Sequence, residues 1–207
     1  MKLIWIRHGE TDSNRERKYL GHSDIPLNEK GEQQARELAR QLSQQLKRPV
    51  ALYASDLLRC TQTARPLADE WGLPIISVPA LRELSFGDWE LLTYEELMRS
   101  DAEWAARWYD DPYRCSPPNG ESLQELGHRV DGWLRKLLEQ RQAAADETTV
   151  CVAHGGVIRW FQAVWLENDP KRYWHVDGVG HGEALLAQWD GRRWRRLRLE
   201  GLKRGTT

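Results

Sequence analysis

Short apolar runs alternate with long amphipathic segments along most of this chain, and that alternation limits its fold more than any other feature. The runs cover residues 3–6, 50–55, 74–78 and 149–153. Their residues are apolar throughout instead of every second one, which is typical of strands buried on both faces of a parallel sheet. Helices between the strands would then cover the two faces.

Helical periodicity fills the intervals between these runs. The first helix is predicted over residues 27–46, with Asn28 as its N-cap. Its apolar face would be formed by Ala35, Leu38, Ala39, Leu42 and Leu46. The helix that begins near Asp56 contains Pro66, which predicts a kink or a break. Two further helices are predicted over residues 121–142 and 155–167.

Two segments depart from the alternation. Residues 84–120 are rich in aromatic and turn residues, and we interpret them as a small, partly helical inserted lobe. Residues 183–201 predict an antiparallel hairpin that turns at Asp190–Gly191. The predicted fold is an α/β three-layer α/β/α sandwich with a mostly parallel central sheet, an antiparallel edge hairpin and the inserted lobe. We expect residues 1–207 to form one domain.

The composition excludes several classes of protein. The chain has 30 Lys+Arg and 31 Asp+Glu, giving a net charge of −1, so it is not a globally basic nucleic-acid binder. No stretch approaches the ~20 apolar residues of a membrane span, and the first residues do not resemble a signal peptide. Three well-separated cysteines without a CxxC pair favour a reduced, cytoplasmic protein. We expect no nucleic-acid or membrane partner.

One local charge cluster qualifies this expectation. Seven Lys and Arg residues lie in positions 192–204, together with a tryptophan. A charged edge strand that prevents unwanted strand pairing is the favoured interpretation. Contact with nucleic acid or an acidic lipid is the less favoured alternative.

Polar residues gather where the predicted strands end. They are Arg7 and His8 after the first strand, Arg59 after the second, Glu83 after the third and His154 after the fourth. Ligands of such sheets bind outside the carboxyl ends of the strands, so we expect these side chains to converge.

Together these residues have the chemistry of a phosphate site. Guanidinium groups offer paired donors for phosphate oxygens, and the predicted helix start at Gly155 adds backbone N–H groups. Cations near a histidine disfavour its protonated form, which leaves a lone pair that can attack phosphorus. Glu83 could protonate the leaving oxygen and then activate water.

Five motifs, in order, resemble those of the histidine phosphatase superfamily. They read "IRHGETDSN", "SDLLRCTQTA", "LRELSFGDWE", "PNGESLQELGHRV" and "VAHGGVIR". The resemblance covers residues 3 to about 160 and implies that His8 is the phosphorylated nucleophile and Glu83 the proton donor. It implies a further set that holds the phosphoryl oxygens: Arg7, Asn14, Arg59 and His154. Gly155 would shape the pocket, and Gly21 would lie in a loop that approaches the substrate.

The resemblance also implies the kind of reaction. The family needs no metal or organic cofactor and acts on a small-molecule phosphate ester. Only 37 positions separate Glu83 from Gly120, which is short beside the insert of the family's mutases. A phosphatase is therefore favoured, with phosphoglycerate mutase-type transfer as the alternative. A non-catalytic phosphoryl-binding protein is disfavoured because no expected catalytic residue is missing.

The substrate and the assembly stay open. The stretches "LNEKGEQQA", "FGDWE" and "YWHVD" are similar to α-ribazole phosphatases, and a broad-specificity phosphatase is the other branch. The aromatic lobe could stack on a heterocyclic leaving group or only fill its own core. His175 and His181 lie where they could touch a substrate. Cys60 stands where the family often has alanine, and we expect it only to fill space. The chain is expected to be a monomer or a homodimer.

Overall fold

The computed structural model describes residues 1–141 and 147–198. These residues contain six strands: β1 (Lys2–Arg7), β2 (Ala51–Ala54), β3 (Ile75–Ser77), β4 (Thr148–Ala153), β5 (Ala184–Trp189) and β6 (Trp194–Leu197). They form one sheet in the order β3-β2-β4-β1-β5-β6. Strands β1 to β4 pair in parallel, and β5 and β6 are added as an antiparallel edge. The predicted mixed sheet is confirmed.

The middle strand β1 shows why continuous apolar runs were needed. Leu3 and Trp5 belong to the hydrophobic core on one face of the sheet, and Ile4 and Ile6 belong to the core on the other face. All four side chains are completely buried. Because neighbouring residues of a strand point to opposite faces, burial of both faces requires an apolar residue at every position.

Helices cover both faces and complete the three layers. The helices are α1 (Asp12–Arg15), α2 (Glu29–Gln45), α3 (Leu58–Trp71), α4 (Tyr94–Ser100), α5 (Ala102–Asp110), α6 (Leu123–Arg141) and α7 (Gly155–Trp160). Helices α2 and α3 supply the core on one face. Helices α6 and α7 supply the core on the other face, and a π-helical segment, Phe161–Leu166, continues α7. None of the described helices is long and apolar enough to cross a membrane.

Two helix boundaries test the sequence predictions. Asn28 accepts the Gly31 N–H at 2.8 Å, so the predicted N-cap of α2 is confirmed, whereas Leu46 follows the helix as its C-cap. Helix α3 continues through Pro66, so a break there is excluded and the alternative, a kink, stays a prediction. Proline removes one N–H donor, and the carbonyl of Gln62 that loses its partner is on a half-buried residue that water can reach.

The segment between β3 and α6 leaves the sheet and forms the predicted helical lobe. It contains a 3₁₀ turn, Gly87–Trp89, followed by α4 and α5. Trp108 lies at its centre and packs edge-to-face on Phe86, Trp89 and Tyr109. The lobe's buried side chains belong to the same hydrophobic cluster as α6 and α7. The lobe therefore extends an existing core.

The final hairpin turns where the sequence predicted. Asp190 accepts the N–H groups of Arg192 and Arg193, each at 3.0 Å. Gly191 has a φ of 98°, which glycine adopts without strain. On β6, Arg195 and Arg196 are exposed. The remainder of the predicted basic segment, residues 199–204, lies outside the described residues.

Candidate active site

Two histidines lie side by side because two neighbouring strands end at the same level. Arg7 of β1 is in register with Ala153 of β4, and the His8 N–H donates to the Ala153 carbonyl at 3.0 Å. The next residue on each strand path is a histidine. The ring centroids of His8 and His154 are 5.1 Å apart, in an edge-to-face arrangement.

The local contacts of His8 define its tautomer. Nδ1 lies 2.7 Å from the Gly9 carbonyl oxygen, which can only accept a hydrogen bond. Nδ1 therefore carries the proton, and Nε2 keeps a lone pair. Burial and the charge of Arg59 lower the pKa of His8 well below its usual value, and His181 and Arg7 add to the effect. The result is a neutral, buried imidazole with a free nucleophilic nitrogen.

His154 is completely buried and contacts two small side chains. Its Nε2 lies 2.9 Å from Ser55 Oγ and 3.4 Å from Cys60 Sγ. Burial and the charge of Arg59 lower the pKa of His154 well below its usual value. Cys60, expected only to fill space, is therefore a direct neighbour of the second histidine.

Both arginines keep buried donors without a hydrogen-bond partner in the described part of the chain. Arg7 donates to the Val179 carbonyl at 3.0 Å, and Arg59 donates to the carbonyls of Ser23 at 2.9 Å and Gly21 at 2.6 Å. In each case Nε is buried and unpaired. Unpaired buried donors cost free energy, and an anion that reaches them removes that cost. The two guanidiniums are thus suited to hold phosphate oxygens.

Glu83 is held by backbone N–H groups on two sides. Its Oε1 accepts from Leu84 at 2.9 Å, and its Oε2 accepts from Gly156 at 2.9 Å. A Cβ placed on Gly156 would lie 2.2 Å from Glu83 Oε1 and 2.8 Å from the Tyr173 hydroxyl. Glu83 Oε1 and the Tyr173 hydroxyl therefore both lie against Gly156, and only glycine leaves room for them. Burial lowers the pKa of Arg7, and the charge of Glu83 opposes that shift.

The loop at Gly21 is anchored by a second carboxylate. Glu90 accepts the N–H groups of Gly21, His22 and Ser23 at 3.0, 2.8 and 3.1 Å, and that of Phe86 at 3.0 Å. Burial alone would raise the pKa of Glu90, but these hydrogen bonds outweigh it and lower the pKa. Because the same loop supplies the carbonyls that Arg59 contacts, Glu90 fixes the position of that guanidinium.

Gly155 and Asn14 differ in their relation to this cluster. A Cβ on Gly155 would lie 3.3 Å from Arg7 Cζ, so Gly155 lines the guanidinium directly. The side chain of Asn14 instead accepts from the N–H and hydroxyl of Thr11, the N-cap of α1, at 3.2 and 2.9 Å and completes its capping box. Its hydrogen bonds do not reach the two histidines. Asn14 as a phosphoryl ligand stays a prediction.

Sequence reasoning missed several residues of the site. Thr63 accepts the Gly9 N–H at 3.0 Å and donates to the Arg59 carbonyl at 2.7 Å, which joins two of the predicted segments. Ser55, Thr63 and Glu90 stand inside motifs that carried the family resemblance, so their place in those motifs was the available signal. His175, considered beside His181, is exposed.

The donor set of the site favours an anion. Among residues 1–141 and 147–198 no group of three or more His, Cys, Asp or Glu side chains could hold a metal ion. The site instead combines the neutral imidazoles of His8 and His154 with two guanidiniums and the carboxylate of Glu83. This arrangement can bind a phosphoryl group, offer it a nitrogen nucleophile and exchange a proton with its ester oxygen.

Comparison with known proteins finds phosphatases among the similar chains. An adenosylcobalamin/alpha-ribazole phosphatase of Escherichia coli (strain K12) is 34% identical over 175 residues, which cover 84% of each chain. A glucosyl-3-phosphoglycerate phosphatase of Mycolicibacterium vanbaalenii is 33% identical over 194 residues, covering 92% of this chain and 84% of that protein. The crystal structure of a putative alpha-ribazole-5'-P phosphatase from Escherichia coli str. K-12 substr. MG1655 superposes with a TM-score of 0.87 at 31% identity. It covers 96% of this chain and 95% of that chain.

A family model provides the broadest match. The model of the histidine phosphatase superfamily (branch 1) matches residues 3–200, nearly the whole chain. The ordered motifs, the mixed sheet and the paired histidines at its edge agree with that match. The chain belongs to the histidine phosphatase superfamily, branch 1.

Proposed function

We propose that the chain is a phosphatase that hydrolyses a small phosphate ester through a phosphohistidine on His8. One observation carries the proposal: His8 is neutral, and its Nδ1 pairs with the Gly9 carbonyl 2.7 Å away, so its Nε2 lone pair is free beside two guanidiniums. A nucleophile next to cationic phosphate ligands is the combination that phosphoryl transfer requires.

In the first step, Nε2 of His8 attacks phosphorus, and an N–P bond forms as the P–O bond to the leaving group breaks. Glu83 gives its proton to the leaving oxygen. Arg7, Arg59 and His154 hold the phosphoryl oxygens, and the buried Nε donors of the two arginines gain partners. Charge that develops on those oxygens is stabilised by groups already in place.

In the second step, the Glu83 carboxylate accepts a proton from water while the water oxygen attacks phosphorus. The N–P bond then breaks, and the electron pair returns to Nε2 of His8. Inorganic phosphate leaves, and Glu83 holds the proton for the next cycle. These two steps need no metal or organic cofactor, because His8 supplies the nucleophile and Glu83 moves the proton.

The substrate we favour is α-ribazole 5'-phosphate, with a broad range of phosphomonoesters as the alternative. Similarity to α-ribazole phosphatases supports this choice. A row of aromatic rings also leads away from Glu83. The ring centroids of Tyr173 and Trp174 are 4.9 Å apart, and those of Trp174 and Trp108 are 5.9 Å apart. Trp174 is 47% exposed, so its ring could stack on a heterocyclic leaving group. We further propose that the protein is cytoplasmic, because all three cysteines are free thiols, and that it is a monomer or a homodimer.

The test is hydrolysis of p-nitrophenyl phosphate in the presence of EDTA, by the wild-type protein and by His8→Ala. We expect the wild type to keep its activity and His8→Ala to lose at least about 10³-fold in kcat, since the variant lacks the attacking nitrogen. Acid quenching during turnover should trap an acid-labile, alkali-stable phosphate on His8. Activity that EDTA abolishes, or an active His8→Ala protein, contradicts the proposal.

A substrate panel then separates the finer alternatives. It contains α-ribazole 5'-phosphate, 3-phosphoglycerate and sugar phosphates. Phosphate release with the highest kcat/KM on α-ribazole 5'-phosphate supports the favoured substrate. Conversion of 3-phosphoglycerate to 2-phosphoglycerate would instead identify the mutase-type reaction. Replacing Trp174 with leucine should lower kcat/KM only for substrates with an aromatic leaving group.

A further inference from the structure

His181 lies against His8 as closely as His154 does, and the proposed reaction leaves it without a role. The ring centroids of His8 and His181 are 5.2 Å apart. The loop that carries His181 is tied to the end of β1: Gly182 N–H donates to the Arg7 carbonyl at 3.1 Å, and Arg7 N–H donates to the Glu183 carbonyl at 3.1 Å. His181 is therefore a fixed neighbour of the nucleophile.

One ring nitrogen of His181 has a hydrogen-bond partner, and the other has none among the described residues. Nδ1 lies 3.2 Å from the His8 carbonyl oxygen, an acceptor only, so Nδ1 carries a proton. Nε2 has no hydrogen-bond partner within residues 1–141 and 147–198. In the neutral ring, Nε2 thus carries a lone pair that no described residue uses, close to the proposed phosphoryl site. Only a protonated ring could donate from Nε2 to an oxygen.

The charges around His181 keep it neutral before a ligand binds. Burial and the charge of Arg7 lower its pKa to about 4, and Lys30 acts in the same direction. The hydrogen bond to the His8 carbonyl and the charge of Glu10 oppose that shift. The charged neighbours are therefore Arg7, Lys30 and Glu10, and the titratable neighbour is His8.

A phosphoryl dianion bound beside Arg7 and His8 would reverse this balance. Two negative charges a few ångströms away favour the charged form of an imidazole. His8 must keep its lone pair for attack and is buried between two guanidiniums, whereas His181 is half-buried. We propose that His181 takes up a proton as the phosphoryl dianion binds and then donates its Nε2–H to a phosphoryl oxygen. This inference deepens the proposed function and rests on it.

The experiment uses sulfate, a tetrahedral dianion that does not titrate between pH 5 and 8. Calorimetric titration at pH 6 in two buffers of different ionisation enthalpy counts the protons taken up per sulfate bound. The same solutions give the inhibition constant of sulfate against p-nitrophenyl phosphate. The proteins are the wild type, His181→Leu and His181→Gln, with His128→Asn on the exposed face of α6 as the control.

Three results are expected together. The wild type takes up about one more proton per sulfate than either His181 variant, because both variants lack the titrating group. His181→Leu raises the sulfate inhibition constant about tenfold or more, which is the effect of losing a charge-assisted hydrogen bond. His181→Gln recovers part of that affinity through its neutral amide donor, without proton uptake. His128→Asn behaves as the wild type.

Equal proton uptake by the wild type and His181→Gln would overturn the inference, as would a wild-type protein that does not bind sulfate. An unchanged inhibition constant in His181→Leu would do the same. These outcomes are separate from failure of the proposed function. That failure appears as a wild-type protein that hydrolyses no phosphomonoester, whatever the calorimetry shows.

Discussion

Oε2 of Glu83 accepts the backbone N–H of Gly156 at 2.9 Å, in the first turn of the helix that His154 begins. The candidate proton donor is therefore anchored to the segment that also carries the second histidine. Glu83 follows a different strand, so this hydrogen bond links two strand ends of the candidate site. A disturbance at Gly156 should reach the proton transfer before it reaches phosphate binding.

Gly156→Ala should impair proton donation. Its Cβ would lie 2.2 Å from Glu83 Oε1 and 2.8 Å from the Tyr173 hydroxyl, so the carboxylate must move. We expect kcat/KM to fall about 10²-fold for alkyl phosphates, which is the usual value of general acid catalysis. The loss should be smaller for p-nitrophenyl phosphate, whose leaving group needs little protonation. Steady-state kinetics on both substrates provide the measurement.

Gly132→Ala is the matched control, because a Cβ at that position of α6 meets no atom within 4 Å. It should leave kcat/KM unchanged and stabilise the fold by up to about 1 kcal/mol, the helix propensity difference between glycine and alanine. Equal losses of kcat/KM on both substrates in Gly156→Ala would point to general misfolding and contradict the prediction.

Glu90→Gln should loosen the loop that supports Arg59. The carboxylate accepts N–H groups from four residues, and an amide can accept with only one of its two atoms. We expect the free energy of unfolding to fall by about 1–3 kcal/mol and KM to rise. Urea denaturation and kinetics measure the two effects, with exposed Glu139→Gln as the control. A variant with wild-type stability and KM would show that the loop does not depend on Glu90.

The buried histidines should make the protein less stable in mild acid. The pKa values of His8 and His154 are lowered in the folded state, mainly by burial and by Arg59, so the unfolded state binds more protons. Their contribution is complete above pH ~6.5 and is lost as the pH falls below that value, by about 1.4 kcal/mol per pH unit for each histidine. Urea denaturation at pH 7.5, 6.5 and 5.5 measures this loss.

The slope of the unfolding free energy against pH should decrease by one histidine's share in His154→Asn. It should stay unchanged in His128→Asn, on the exposed face of α6. The comparison is made between slopes, since the asparagine also alters packing. A slope in His154→Asn equal to that of the wild type would mean that His154 carries its proton in the folded state.

Thiol reactivity should separate the three cysteines. Cys60 and Cys151 are completely buried, and burial raises the pKa of both thiols, so little thiolate forms. Cys115 is only half-buried. We expect one thiol per native chain to react quickly with an aromatic disulfide reagent and three in denaturant. Cys115→Ser should abolish the fast phase, and a surviving fast phase would reveal exposure of a core thiol.

Features encoded by neighbouring residues were predictable from the sequence. The strand that ends in Arg7 and His8, and the N-cap at Asn28, are visible in a few consecutive residues. The helix is not broken at Pro66, which shows the limit of such local patterns. Local preference opposes a helix there, but Ala64, Leu67 and Ala68 are buried in the core and hold α3 together.

Contacts between distant segments could not be found in this way. Glu90 binds the N–H of Gly21, and the ring of His181 reaches the His8 carbonyl, across 69 and 173 positions of the chain. Neither pairing leaves a periodic or local pattern. Glu90 could be suspected only from its place in a family motif, and His181 only from its position before the final hairpin.

The pairing of β1 with β4 also determines when the candidate site can be assembled. His8 follows β1 directly, whereas His154 follows β4, which is made much later along the chain. Contacts between such distant segments form late in folding. A nascent chain that ends before β4 therefore carries the proposed nucleophile, His8, without the complete buried surroundings that lower its pKa in the folded protein. Under the proposed mechanism, the two histidines of the site can meet only after β4 has been made.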